Sequence, residues 1–118
     1  MPTLFAAASW GNEAVIIIES DVQSADNKSG ILTATGNVRL DHQNIGITAT
    51  SNKVQYFTHE QRLVLTGDVE VLELNGNLLQ ADQVVYILNE KRAVATPKTG
   101  EQVISKWNLI KQAELNLR

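Results

Sequence analysis

Two histidines, His42 and His59, are the side chains of this sequence best suited to move protons or hold a metal near neutral pH. Each adjoins a carboxylate, in the pairs Asp41-His42 and His59-Glu60. Neighbouring residues on a strand point to opposite faces, so neither pair converges on one substrate atom. Both pairs also fall in clusters that read as hairpin turns, where a histidine is ordinarily solvated. Asp68, Glu70 and Glu73 read as carboxylates spaced along one solvent-facing strand face. Glycoside hydrolysis needs two carboxylates converging across a cleft, which such a face does not provide. No G-x-S-x-G elbow, phosphate-binding loop, G-x-G-x-x-G turn or H-E-x-x-H helix is present. Cysteine is absent, which removes disulfides, thiol catalysis, zinc–thiolate sites and iron–sulfur clusters together. The expectation is a protein with no catalytic residues, no metal site and no cofactor.

Composition narrows the partners. The 118 residues suit one domain, and 43% hydrophobic with 19% charged residues is an ordinary globular balance. A net charge of −3 and 5% aromatic residues give neither the cationic footprint nor the stacking platform of a nucleic-acid binder. The longest apolar run, Ala14-Val15-Ile16-Ile17-Ile18, is far short of the ~20 residues a membrane-spanning helix needs. Residues 1–13, with the small-residue cluster Ala6-Ala7-Ala8-Ser9, read as an N-terminal arm or a signal-peptide remnant.

The elements that would position any site are strands. Turn signals recur at Asn27-Lys28-Ser29-Gly30, Asp41-His42-Gln43-Asn44, Thr58-His59-Glu60-Gln61, Asn75-Gly76 and Asn89-Glu90-Lys91. Asn75-Gly76 suggests a type I′ hairpin turn, with positive φ at both residues. Between the turns, apolar and polar residues alternate, as in Val69 and Val71 against Asp68 and Glu70. That pattern predicts an all-β, up-and-down antiparallel sheet. The hairpins also repeat: Thr35-Gly36-Asn37-Val38 matches Thr66-Gly67-Asp68-Val69, and Asn52-Lys53-Val54-Gln55-Tyr56 matches Asp82-Gln83-Val84-Val85-Tyr86. Ser20-Asp21-Val22-Gln23 looks like an additional copy of the second half. Such a period points to a stacked or rolled β structure.

Parity assigns an inner face. Leu32, Ala34, Gly36, Val38 and Leu40 share one side, as do Leu63, Leu65, Gly67, Val69 and Val71. Gly36 and Gly67 occupy equivalent slots and predict bends in their strands. Parity slips between Ala49 and Val54, and again between Leu79 and Val84. Strands that bend there can serve two facing layers, so the expected architecture is an open, rolled β sandwich. Its interior gathers Leu32, Val38, Leu40, Ile45, Ile47, Val54, Tyr56, Leu63, Leu65, Val69, Val71, Leu79, Val84, Tyr86 and Leu88. Such an interior is either a closed core or a trough able to hold acyl chains. A further copy begins at Ala93-Val94-Ala95-Thr96, but Pro97 stands where its glycine would be. The folded domain is expected over 14–105, and 106–118 form a C-terminal tail that fits either a strand or a short helix.

The segments SDVQ, ATGNVRL, ATSNKVQYF, RLVLTGDVEV and NLLQADQVVYI resemble the LptA, or OstA-like, family of lipopolysaccharide transport over residues 15–96. The same domain occurs at the N-terminus of LptD, the outer-membrane translocon, and LptC is related. The resemblance implies an open antiparallel β jelly roll, a folded-over sheet built from repeated hairpins, located in the periplasm. It implies that lipid A chains lie in an apolar groove lined by the interior residues. It further implies homo-oligomers by edge-strand addition and docking to LptC-like and LptD-like jelly-roll domains. Candidate edges are Ala14–Glu19 and Ala93–Thr96. Two alternatives accompany the carrier: the N-terminal domain of an outer-membrane translocon, and a self-assembling β-stacking module that carries no lipid.

Overall fold

The computed structural model describes residues 15–108. Its strands are β1 (Ile16–Glu19), β2 (Val22–Asp26), β3 (Ile31–His42), β4 (Ile47–Phe57), β5 (Arg62–Glu73), β6 (Leu78–Ile87), β7 (Arg92–Thr96) and β8 (Ile104–Lys106). All pairings are antiparallel within one sheet, in the order β1-β3-β4-β5-β6-β7, with β2 also on β3 and β8 also on β6. β1 and β7 do not meet, so the sheet is open, and no α-helix occurs among the described residues. The protein is all-β, as the alternating pattern requires.

The glycine slots explain how one sheet becomes two layers. Thr35 pairs with Lys53 and Val38 with Ser51, so Gly36 and Asn37 together oppose Asn52. Thr66 pairs with Gln83 and Val69 with Ala81, so Gly67 and Asp68 oppose Asp82. Each is a β-bulge, an extra residue that bends its strand and sharpens the local twist. Both bulge residues are left-handed: φ is 85° at Gly36 and 49° at Asn37, 87° at Gly67 and 49° at Asp68. Asparagine and aspartate tolerate that region best after glycine, which is why the repeated motif is Gly-Asn/Asp. A Cβ at Gly36 would meet the Asp21 carboxylate at 2.7 Å, and one at Gly67 the Asn52 amide at 2.6 Å.

The bulge keeps the inward parity of β3 and β5 intact and passes the slip to their partners. On β4, Ala49 and Ser51 are buried, then Val54. On β6, Leu79 and Ala81 pack on the core, then Val84 and Tyr86. The edges break along the same line. Between β1 and β2, the Asp21 amide donates to the Gly36 carbonyl at 2.9 Å. β7 stops at Thr96, opposite Gln83, so Pro97 falls against Asp82 in the glycine's slot, and the chain returns to β6 only as β8. Proline has no N–H for the ladder, so the edge strand ends there.

Folding along this line brings the two apolar sides together. The core joins Ala34, Val54, Leu63, Leu65 and Val84 of one half to Val38, Leu40, Ala49 and Val69 of the other. Burying Leu63, 1% exposed, stabilises the fold by about 1.5–3 kcal/mol. Two turns differ from their sequence reading. β3 continues through Asp41 and His42, and the reversal is made by residues 43–46 instead. Asn75 lacks the positive φ of a type I′ turn; only Gly76 has it, at 96°, closing a three-residue loop in which its amide donates to the Glu73 carbonyl at 2.9 Å.

Candidate functional site

Three kinds of position present themselves: the interior between the halves, the polar line of the fold, and the sheet edges. Of the residues expected inside, Val38, Leu40, Val54, Leu63, Leu65, Val69 and Val84 are buried. Tyr56, Val71, Leu79, Tyr86 and Leu88 are partly buried and pack against them, while Leu32 and Ile47 are half-buried toward the strand ends. Ile45 does not belong to this set. It sits in the reversal between β3 and β4 and is 51% exposed, because β3 runs on to His42 and pushes the turn two residues along. Gly36 and Gly67 lie at the bulges.

Parity also carries polar groups inward, and here sequence reasoning missed three residues. His42 is not a solvated turn residue. It follows Val38 and Leu40 on the inner face of β3, is 6% exposed, and has no hydrogen-bond partner for Nε2. Its ring lies 6.3 Å from that of Tyr86, tilted by 54°, so the pair bridges the two halves. Burial pushes the His42 pKa down and the Tyr86 phenol pKa up, since both charged forms lose water there. Glu73 shares the parity of Val69 and Val71, so it does not lie with Asp68 and Glu70 on the outer face. It accepts a 2.8 Å hydrogen bond from Nδ2 of buried Asn77, whose own Oδ1 accepts from the Asn108 amide at 2.7 Å. The parity of β3 and β5, carried two residues past their last inward residues Leu40 and Val71, was the signal that located His42 and Glu73.

The outer face is polar along the fold line. Asn37 Nδ2 donates to Asp21 at 3.0 Å, and Lys98 pairs with Asp68 at 3.4 Å. A surface recess of about 280 Å³ lies between Asp68, Glu70, Asp82, Lys98 and Glu101. No group of three or more His, Cys, Asp or Glu residues able to hold a metal occurs among the described residues. His59 stands in the turn between β4 and β5, apart from His42. At the edges, β1 and β2 line β3, and β7 and β8 line β6, with no strand beyond them among the described residues. Every residue of β2 is exposed.

No helix among the described residues is long and apolar enough to cross a membrane. No protein-family model matches the chain, and no curated protein matches it. Among solved structures, the folded sheet is similar to that of LptH, the LptA-homologous periplasmic component of the conserved lipopolysaccharide transport device from Pseudomonas aeruginosa. The likeness covers 80% of this chain and 95% of that one, at 17% sequence identity and a TM-score of 0.43.

Proposed function

We propose that this protein is a non-enzymatic carrier of lipopolysaccharide in the periplasm. Lipid A chains lie between the two halves of the folded sheet, and neighbouring jelly-roll domains join edge to edge to lengthen the path. One observation carries the reading: a single open sheet, folded along its own bulges, turns a largely apolar face inward and leaves both edges without a neighbouring strand among the described residues. The repeated strand motifs, which resemble the LptA family, support it independently.

The physical need is large. Each acyl methylene exposed to water costs ~0.8 kcal/mol. A chain of about a dozen carbons therefore faces on the order of 10 kcal/mol when it crosses water unshielded. An apolar interior lowers that barrier, and a folded sheet can part along its fold without losing its ladders. Edge strands supply the assembly, because their free N–H and C=O groups pair with a strand of another domain. The interior lining is that of the core itself, with Ile47, Val71, Leu79 and Tyr86 at its accessible margin.

Photo-crosslinking tests the reading. Crosslinkers placed at Ile47, Val71 and Tyr86 are expected to capture lipid A, while those at outward Arg39 and Glu70 capture none. Capture confined to Arg39 and Glu70 would overturn it.

A further inference from the structure

The two copies of the repeat end differently, and the difference leaves one polar atom inside. β3 ends at His42 and β5 at Glu73, each the inward residue at the same place in its copy. Across from Glu73 stands Asn77, which supplies a hydrogen bond at 2.8 Å. Across from His42 on β4 stands Ile47, and on β1 stands Ile16; neither has a polar side chain. From the facing half comes the Tyr86 ring. Nε2 of His42 is therefore a buried hydrogen-bonding atom without a partner, flanked along the ladder by Ile16 and Ile47. Native proteins seldom leave such an atom unmatched, because the desolvation cost is not recovered.

We infer that His42 is a polar anchor inside the interior, receiving a hydroxyl group carried on the acyl chain of a bound amphiphile. This rests on the carrier reading above and specifies which chains the carrier prefers. Chemistry selects the group. A carboxylate or phosphate beside His42 would shed its water with no counter-charge from the residues across the ladder, which are Ile16 and Ile47. Burial also holds the imidazole neutral. An ester carbonyl can only accept, so it would suit one ring tautomer alone. A hydroxyl donates to a bare Nε2 or accepts from a protonated one, and fits either tautomer.

The test compares palmitate with hydroxypalmitates carrying the hydroxyl near the carboxyl or at mid-chain, each titrated against the full-length protein by displacement of a fluorescent fatty acid. At least one hydroxypalmitate is expected to bind roughly 3- to 10-fold more tightly than palmitate, the range of one net hydrogen bond. His42→Phe, which keeps the ring against Tyr86, removes that preference and leaves palmitate binding in place. His42→Gln, which retains a hydrogen-bonding group, keeps part of it. Equal binding of all chains by the unaltered protein, or a preference that survives in His42→Phe, overturns the anchor and leaves the carrier reading standing. Absence of binding by every chain overturns both.

Discussion

The first and second copies of the repeat agree where the strand bends and part company where it ends. At the bend, Gly36-Asn37 and Gly67-Asp68 have φ values within two degrees of each other, although their surroundings differ. Gly36 faces Asp21, in the break between two short edge strands; Gly67 faces Asn52, inside the unbroken β4. At the strand end, Glu73 has Asn77 while Nε2 of His42 has no hydrogen-bond partner. Backbone conformation is thus set locally by the Gly-Asx pair, whereas satisfaction of a polar side chain depends on one residue across the ladder. A repeat can hold its shape while its chemistry drifts.

The largest expected effect breaks the agreement at the bends. Alanine at Gly67 must adopt a left-handed φ, at about 1–2 kcal/mol, and its Cβ displaces Asn52 in the middle of the sheet. Gly67→Ala should therefore cost about 2–3 kcal/mol in urea unfolding. Gly36→Ala carries the same backbone cost, but Asp21 lies in the break between two short edge strands, which can yield, whereas Asn52 belongs to the unbroken β4, so the loss should be about 1 kcal/mol smaller. Equal losses at the two sites would mean that the neighbouring strand does not matter.

Next comes the strand end of the second copy. Asn77→Ala removes the donor to Glu73 and the acceptor for the Asn108 amide, and leaves inward Glu73 without that bond. A loss of about 1–3 kcal/mol is expected, read from the same unfolding curves. In the first copy the sign reverses. His42→Phe replaces an unpartnered buried nitrogen with carbon, so stability should rise at neutral pH. Acid separates the two further. Because burial lowers the folded-state pKa of His42 below 6.5, the unfolded chain takes up the proton first. Its contribution is complete above pH 6.5, declines as pH falls toward the folded-state value, and is flat below that. A pH series of unfolding midpoints should show this decline in the unaltered protein and a shallower one in His42→Phe. Parallel curves would place His42 in water.

Much of this was legible beforehand, and the residues say why. Alternation gave the strands, and the slips between Ala49 and Val54 and between Leu79 and Val84 marked the fold line. The slip appears on the strands without glycine, since the bulge absorbs the extra residue on the strands that have it. Pro97 marked the end of an edge for the same reason, by occupying that slot without an N–H. The strand end was less legible. Asp41-His42-Gln43-Asn44 carries strong turn propensity, yet two more ladder pairs, Asp41 with Thr48 and His42 with Ile47, outweigh it. That two-residue extension buries His42 and expels Ile45. Nor does composition reveal a split edge: Ser20-Asp21-Val22-Gln23 reads as a copy of the second half of the repeat, but Asp21 turns its amide to the bulge of Gly36 between β1 and β2.

The smallest effect concerns how the incomplete last copy closes the line. Lys98 follows Pro97 and reaches Asp68, the second bulge residue of β5, at 3.4 Å. Both side chains are more than half exposed, so water screens the pair and the long lysine loses rotamer freedom in making it. Lys98→Ala should change stability by at most about 1 kcal/mol, and by less in high salt. Asp68 itself matters through its backbone: it must hold φ near 49° beside Gly67. Asp68→Asn, which preserves tolerance of that region and removes the charge, should therefore match Lys98→Ala, whereas Asp68→Val should cost about 1–2 kcal/mol more. If Asn and Val behaved alike in urea, the ion pair rather than the left-handed bulge would be what Asp68 provides.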